Sequence, residues 1–274
     1  MAREQDWRSG TFACGIDYAS WGSGPRSLLF LPGGPGSSVP RGLWGRMTQR
    51  WFEPFVEAGY TVWYVTRERH MPTGHSVADM ADDLAAMIVD ELGGRVDLVV
   101  GESYGGMVAL LLAARNGHHV GRVAVVVAAA EVSEWGRQVD ARLASAVACG
   151  DTAGVGATFA EYAMPGDGRR WLRRIVGPFL GRSLMSGKTY PPSDLLVEAQ
   201  AEMDYQAWEA LPAISVPVVL VSGERDRFFP PEVVDETVRL IPDCTPVRHA
   251  GRGHMQVASD RRVAHEILAF AEGH

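Results

Sequence analysis

The sequence predicts an α/β protein: a mostly parallel central sheet with helices on both faces, and a helical cap inserted before the penultimate strand. Three observations carry this expectation. Short β-branched or apolar runs alternate with helical stretches, the pattern of a parallel sheet covered by its crossover helices. The first such stretch alternates polar and apolar residues instead, like the arm of an antiparallel hairpin. And the alternation stops between about 131 and 212, where helix-like pieces follow one another without a convincing strand.

The elements follow in order. Residues 11–20 (TFACGIDYAS) form the hairpin arm, and SLLFL (27–31) and YTVWYV (60–65) read as buried strands. Residues 76–92 read as a helix. Ser76 and an acidic first turn suit its N-terminus, and Val77, Met80, Leu84, Met87 and Ile88 keep one apolar face. RVDLVV (95–100) is a strand that runs into a helix over 104–115, and RVAVVVAA (122–129) is the next strand. VPVVLVS (216–222) and TPVRH (245–249) complete the sheet. Between them a helix over 231–240 opens on proline at its first turn, and a last helix spans 258–272. The stretch 131–212 is interrupted by MPGDG, VGP and YPPSD and cannot sit inside the sheet. It is expected to cover the carboxyl edge, giving a core of 1–130 and 213–274 and a cap of 131–212.

Net charge −7 and a pI near 5.6 give no electrostatic reason to bind nucleic acid or an acidic membrane surface. The first ten residues are polar, and no apolar stretch is long enough to span a bilayer. Cys14, Cys149 and Cys244 are too few and too scattered for a disulfide framework, so the expectation is reduced thiols in a cytoplasmic protein.

The chemistry centres on VVGESYGGMV (99–108). Ser103 lies between Gly101 and Gly105, on the turn from a strand into a helix. Small residues two positions away on either side allow strand and helix to approach closely. Such a turn lifts the serine oxygen above the sheet, beside the positive end of the helix. The plainer alternative is a helix N-cap. A nucleophilic serine needs a base, and His254 stands in the Gly-flanked stretch HAGRGHM after the last strand, at the same edge of the sheet. His118 and His119 read as surface residues at a helix end, His265 lies in the last helix, His274 is the last residue, and His249 ends the last strand, where a packed ring is one reading. Asp226, in GERDRFFPPE after the penultimate strand, is placed to orient the imidazole; Glu224 and Glu131 are alternatives. The loop LPGGPGSS (31–38) offers unhindered backbone donors, so Gly34 N–H and Tyr104 N–H would form an oxyanion hole; losing one such donor typically costs about 3 kcal/mol in the transition state.

The order Ser103…Asp226…His254 resembles that of the α/β-hydrolase fold superfamily, and the likeness runs from LPGGPG to GRGHM. LPGGPG is similar to the HGGPG oxyanion loop of proline-iminopeptidase-like members, with Pro32 in place of histidine. GESYGG is similar to their nucleophile elbow. The resemblance implies a serine hydrolase with a helical cap, with Ser103, Asp226 and His254 as triad and Gly34 and Tyr104 as oxyanion donors. The chain departs from the family pattern after YTVWYV, where TRERHMPTGHS replaces a glycine-rich turn; His70 and His75 stand there either near a substrate or as surface residues. Cap carboxylates that would hold a substrate amine exist as Glu198, Glu202, Asp204 and Glu209, but their segments read as a solvated helix face.

The expected activity is therefore hydrolysis of a carboxylic ester or lactone of a small to mid-sized, largely apolar substrate. The segment 131–212 supplies Trp135, Phe159, Tyr162, Trp171, Phe179, Tyr190, Tyr205 and Trp208, either as pocket lining or as the cap's own small core. No metal ligand set is evident and no organic cofactor is required; GRSLMSGKT (181–189) has the wrong spacing for a phosphate-binding loop. Rival readings are amide, prolyl-peptide, thioester or C–C cleavage on the same triad, cyclisation or acyl transfer, and a non-catalytic small-molecule binder.

Overall fold

The computed structural model describes residues 7–34, 36–163, 170–185 and 190–273. Eight strands form one sheet: β1 (Arg8–Thr11), β2 (Asp17–Trp21), β3 (Arg26–Leu31), β4 (Tyr60–Val65), β5 (Val96–Glu102), β6 (Val120–Val126), β7 (Val218–Gly223) and β8 (Cys244–His249). Their order is β1-β2-β4-β3-β5-β6-β7-β8; β1–β2 and β2–β4 pair antiparallel and all other neighbours parallel. The inner strands are apolar on both pleat faces, and Val96, Leu98, Val99 and Val100 are wholly buried. The two edges differ: β1 is exposed throughout, and β8 carries Pro246, a residue that edge strands tolerate.

Helices cover both faces. On one side α1 (Gly42–Glu57) and α10 (Arg261–Glu272) bury Phe52, Phe55, Val263 and Ile267 against the sheet. On the other lie α2 (Val77–Glu91), α3 (Tyr104–Asn116) and α8 (Pro231–Leu240). The Ser76 hydroxyl accepts the Asp79 N–H, and the Asp79 carboxylate accepts the Ser76 N–H, a reciprocal cap that starts α2 where the sequence expects it. Helix α1 is not among the expected helices: Gly42, Gly45 and Pro54 are poor helix formers, although Trp44, Met47, Trp51, Phe52 and Phe55 recur at helical spacing. The expected terminal helix 258–272 is two helices, α9 (His254–Ala258) and α10, separated where the Asp260 carboxylate accepts the Arg262 N–H as a new cap.

From β3 the chain reaches β4 on one side, then crosses to β5 on the other. Strand order thus reverses at β3, and the crevice beyond the carboxyl ends of β3 and β5 is where such sheets place their ligands. Among the described residues, four α-helices intervene between β6 and β7: α4 (Glu134–Ala148), α5 (Thr152–Ala163), α6 (Arg170–Met185) and α7 (Pro192–Met203). This segment is stitched at its base, where Glu131 pairs with Gln206 as an isolated antiparallel bridge, and Ala207 N–H donates to Ala130 O at 2.9 Å. Of the aromatic residues expected here, Tyr190 and Tyr205 are buried, whereas Trp171 and Phe179 face solvent. The Tyr162 side chain and residues 186–189 lie outside the described residues. Among the described residues no helix is long and apolar enough to cross a membrane, and Cys14, Cys149 and Cys244 are unpaired.

Candidate active site

Ser103 ends the turn between β5 and α3 with φ 50° and ψ −116°. A positive φ in a non-glycine residue costs on the order of 1–3 kcal/mol, so its surroundings must enforce it. They do. Ser103 N–H donates to Val126 O across to β6 at 2.8 Å, and Ser103 O accepts Gly106 N–H at 2.8 Å. The flanking glycines are there for space. A Cβ on Gly105 would lie 2.0 Å from Leu31 O, and one on Gly101 would lie 2.4 Å from Gly105 O. As the first residue of α3, Tyr104 keeps an N–H with no partner inside the helix.

The three side chains picked from the sequence meet. His254 Nε2 lies 2.9 Å from Ser103 Oγ, and His254 Nδ1 lies 2.8 Å from Asp226 Oδ2. The other carboxylate oxygen, Asp226 Oδ1, accepts the N–H groups of Phe228 and Phe229 at 2.8 and 3.2 Å, which fixes the carboxylate in place. His254 and Asp226 are 8% and 4% exposed, and the Phe228 ring packs 4.8 Å from the imidazole. Burial pulls the imidazole pKa down, but Asp226, with Glu102 and Asp140 beyond it, outweighs burial and raises it above the ordinary value. His254 opens α9 rather than lying in a free loop, so its backbone is anchored. The competing acids have other partners. Glu224 is exposed and accepts the Gly251 N–H at 2.7 Å, bracing the turn before His254. Glu131 pairs with Arg137 and with the Trp208 indole N–H.

The loop after β3 crosses directly over the nucleophile: a Cβ on Gly33 would lie 3.0 Å from Ser103 Cβ. Gly34 has φ +71° and faces open space. Beneath the loop lies a residue the sequence pattern does not single out. Arg67, just after β4, is buried and donates to Pro32 O (3.1 Å), Gly34 O (2.6 Å) and Glu198 Oε1 (2.7 Å). The only signal available was negative: charged residues where related sequences keep glycine.

The solvated-face expectation for Glu198, Glu202, Asp204 and Glu209 is overturned for two of the four. Glu198 and Glu202 are 1% and 4% exposed, whereas Asp204 and Glu209 face solvent. The period of α7 turns positions 198 and 202, four apart, to one face, and the rest of the molecule covers that face. Glu202 sits beside buried Asp140 of α4; burial and mutual repulsion push the Glu202 carboxyl well up, and burial raises Asp140 as well. Glu202 Oε2 and Asp140 Oδ1 have no hydrogen-bond partner. Glu102, next to the serine, is pushed up to about 7 by burial. His70 is exposed, and His75 bonds Asp83 at 2.7 Å. With Glu68 they bring three ligand-type atoms within 4.8 Å of one another, an arrangement the His75–Asp83 pair already accounts for.

Residues 28–266 match the model of a family described as the alpha/beta hydrolase family. No curated protein matches the sequence. Similar solved structures include an esterase from Exiguobacterium antarcticum (TM-score 0.72, 20% identity, 96% of this chain and 99% of that one). A thermophilic esterase from Thermogutta terrifontis gives 0.69, 20%, 97% and 98%. An enol-lactonase from Burkholderia xenovorans LB400 gives 0.67, 18%, 94% and 94%.

Proposed function

The chain belongs to the alpha/beta hydrolase family, and from that premise we propose that it is a serine hydrolase acting on a carboxylic ester or lactone of a small to mid-sized, largely apolar substrate. The observation that carries the proposal is the unbroken contact from Asp226 through His254 to Ser103, at 2.8 and 2.9 Å. His254 takes the Ser103 proton as Oγ attacks the carbonyl carbon. Asp226 holds the tautomer that leaves Nε2 free and stabilises the imidazolium. The N–H groups of Gly34 and Tyr104 receive the developing oxyanion. The imidazolium then protonates the leaving alkoxide, and water repeats the sequence on the acyl-enzyme. The cycle uses only side chains, backbone and water. In this reading residues 131–212 cap the site, and three unpaired thiols suit a reducing compartment such as the cytoplasm.

A second reading draws on Glu202 and Asp140, two buried acids with unpartnered oxygens and Asp140 within electrostatic reach of His254. They would favour a substrate with an ammonium group, as in prolyl-amide cleavage. The test is a fluorophosphonate probe followed by an aryl ester, acyl thioester and prolyl anilide panel. Labelling of Ser103, lost in Ser103→Ala together with turnover by a factor of about 10⁵ or more, is expected. An unlabelled wild-type serine sinks the proposal. Faster turnover of the anilide than of any ester selects the second reading.

A further inference from the structure

We propose that Arg67 is a positioning residue that sets the polarity of the oxyanion hole by holding the carbonyls of the glycine-rich loop away from the reacting oxygen. The proposal rests on the serine-hydrolase reading of the same site.

The loop P-G-G-P-G at 32–36 has almost no side chains with which to fix its peptide planes. A glycine peptide that rotates by half a turn replaces an N–H with a C=O, so an oxyanion donor becomes a repelling acceptor. The Gly34 N–H shares its peptide with Gly33 O, and three bonds oppose rotation of that unit by pinning the peptides beside it. Arg67 Nη1 donates to Pro32 O at 3.1 Å, Arg67 Nη2 donates to Gly34 O at 2.6 Å, and Glu198 Oε2 accepts the Gly36 N–H. The guanidinium is itself fixed by a two-point contact with Glu198, Nε to Oε1 at 2.7 Å and Nη2 to Oε2 at 3.1 Å. Its backbone N–H donates to Ser37 Oγ at 3.0 Å, tying the far end of the loop to the same residue.

The second donor is held by the same group. The guanidinium lies over the Tyr104 ring, 4.4 Å from its centroid, and the Tyr104 hydroxyl donates to Glu198 O at 3.0 Å. Both sides of the hole, the loop and the first residue of α3, thus rest on one buried ion pair. Such a pair is a poor source of stability, because well-packed apolar residues of similar volume usually do as well. What apolar residues cannot do is grip two carbonyls and a carboxylate at once, and that calls for the planar fork of arginine rather than the point charge of lysine.

The experiment compares wild type, Arg67→Met, Arg67→Lys and Glu198→Gln for 4-nitrophenyl acetate hydrolysis and for the rate of fluorophosphonate labelling, with the His254 ring proton titrated by NMR. For folded Arg67→Met the expected result is a fall of about 100-fold in kcat and a parallel fall in labelling, the size of losing one oxyanion donor. KM should change less than about threefold, and the His254 titration should not move. Arg67→Lys should recover less than a tenth of the lost rate, and Glu198→Gln should lose about tenfold. Should Arg67→Met fail to fold, those two variants decide by the same measures. Rates within about threefold of wild type in the variants overturn the proposal, as does a loss that is matched by a shifted His254 titration. A wild-type protein that neither hydrolyses the ester nor takes the probe sinks the serine-hydrolase reading, and this inference with it; a reactive wild type with equally reactive variants sinks the inference alone.

Discussion

The sheet and the helical segment between β6 and β7 are held in place by different forces. The sheet is held by apolar area. Its inner strands are buried on both faces, and α2 and α3 press a continuous set of Val, Leu, Met and Ala side chains against it. The helical segment has a small core of its own, Val147, Val155, Tyr190 and Leu195, and lends Val139 and Ala201 to the main core. Much of its remaining attachment is polar. Asp194 accepts the His70 and Met71 N–H groups at 3.0 and 3.2 Å, and Glu198 pairs with Arg67. Apolar burial is non-directional and insensitive to pH, whereas a few buried charges fix orientation and respond to single substitutions and to protons. The helical segment is therefore the part of the molecule most open to tuning.

The largest expected effect tests the area-held half. Gly105→Ala would drive a methyl group into Leu31 O and should cost more than about 4 kcal/mol, read as a collapse of the urea midpoint. A variant with a wild-type midpoint would show that β3 and α3 are not locked together. Next comes the polar-held half. Asp194→Ala leaves two backbone donors without their acceptor and should cost about 2 kcal/mol. Hydrogen exchange should then accelerate in α7 and not in β5; equal acceleration in both would abolish the distinction drawn above.

Protons sharpen the same contrast. Asp140 and Glu202 bind protons more tightly folded than unfolded, so the folded state gains protons relative to the unfolded one. That contribution is fully present below the ordinary carboxylate range, near pH 4, and is lost as pH rises through the raised folded values. Asp140→Asn should flatten the fall in stability between pH 4 and 7, and an unchanged slope would count against a buried acid pair. For His254 the sign concerns activity. The base works when neutral, and its raised pKa places the rise of kcat/KM above pH 6.5. Glu102→Gln removes one of the charges raising it and should move that rise to lower pH; a shift upward would contradict the electrostatics. The smallest effect is expected at Phe179, 76% exposed on α6, where Phe179→Ser should stay within about 0.5 kcal/mol of wild type.

The meeting of Ser103, Asp226 and His254 was legible because each follows a strand's carboxyl end next to turn-forming residues, and their order survives in one dimension. Strand positions were legible for a similar reason: β-branched runs bounded by Gly, Pro and charge bury both faces wherever they pair. Helix α1 was not, since Gly42, Gly45 and Pro54 are poor helix formers even though Trp51, Phe52 and Phe55 keep a helical period. Nor was the fate of Glu198 and Glu202. Their spacing of four shows that they share a helix face, but only packing decides whether water or protein covers that face.

By itself, then, the chain's order of residues determined the alternation of strand and helix, the sheet edge at which the candidate site lies, and the three side chains that meet there, because these depend on local periodicity and turn chemistry. Tertiary structure alone decided that Arg67 turns inward under the loop, that it meets a carboxylate 131 positions away, and that two further acids lie buried beside each other. Those outcomes depend on desolvation and on partners distant in sequence, and a charge shows which of its possible partners it has only once the fold has brought them together.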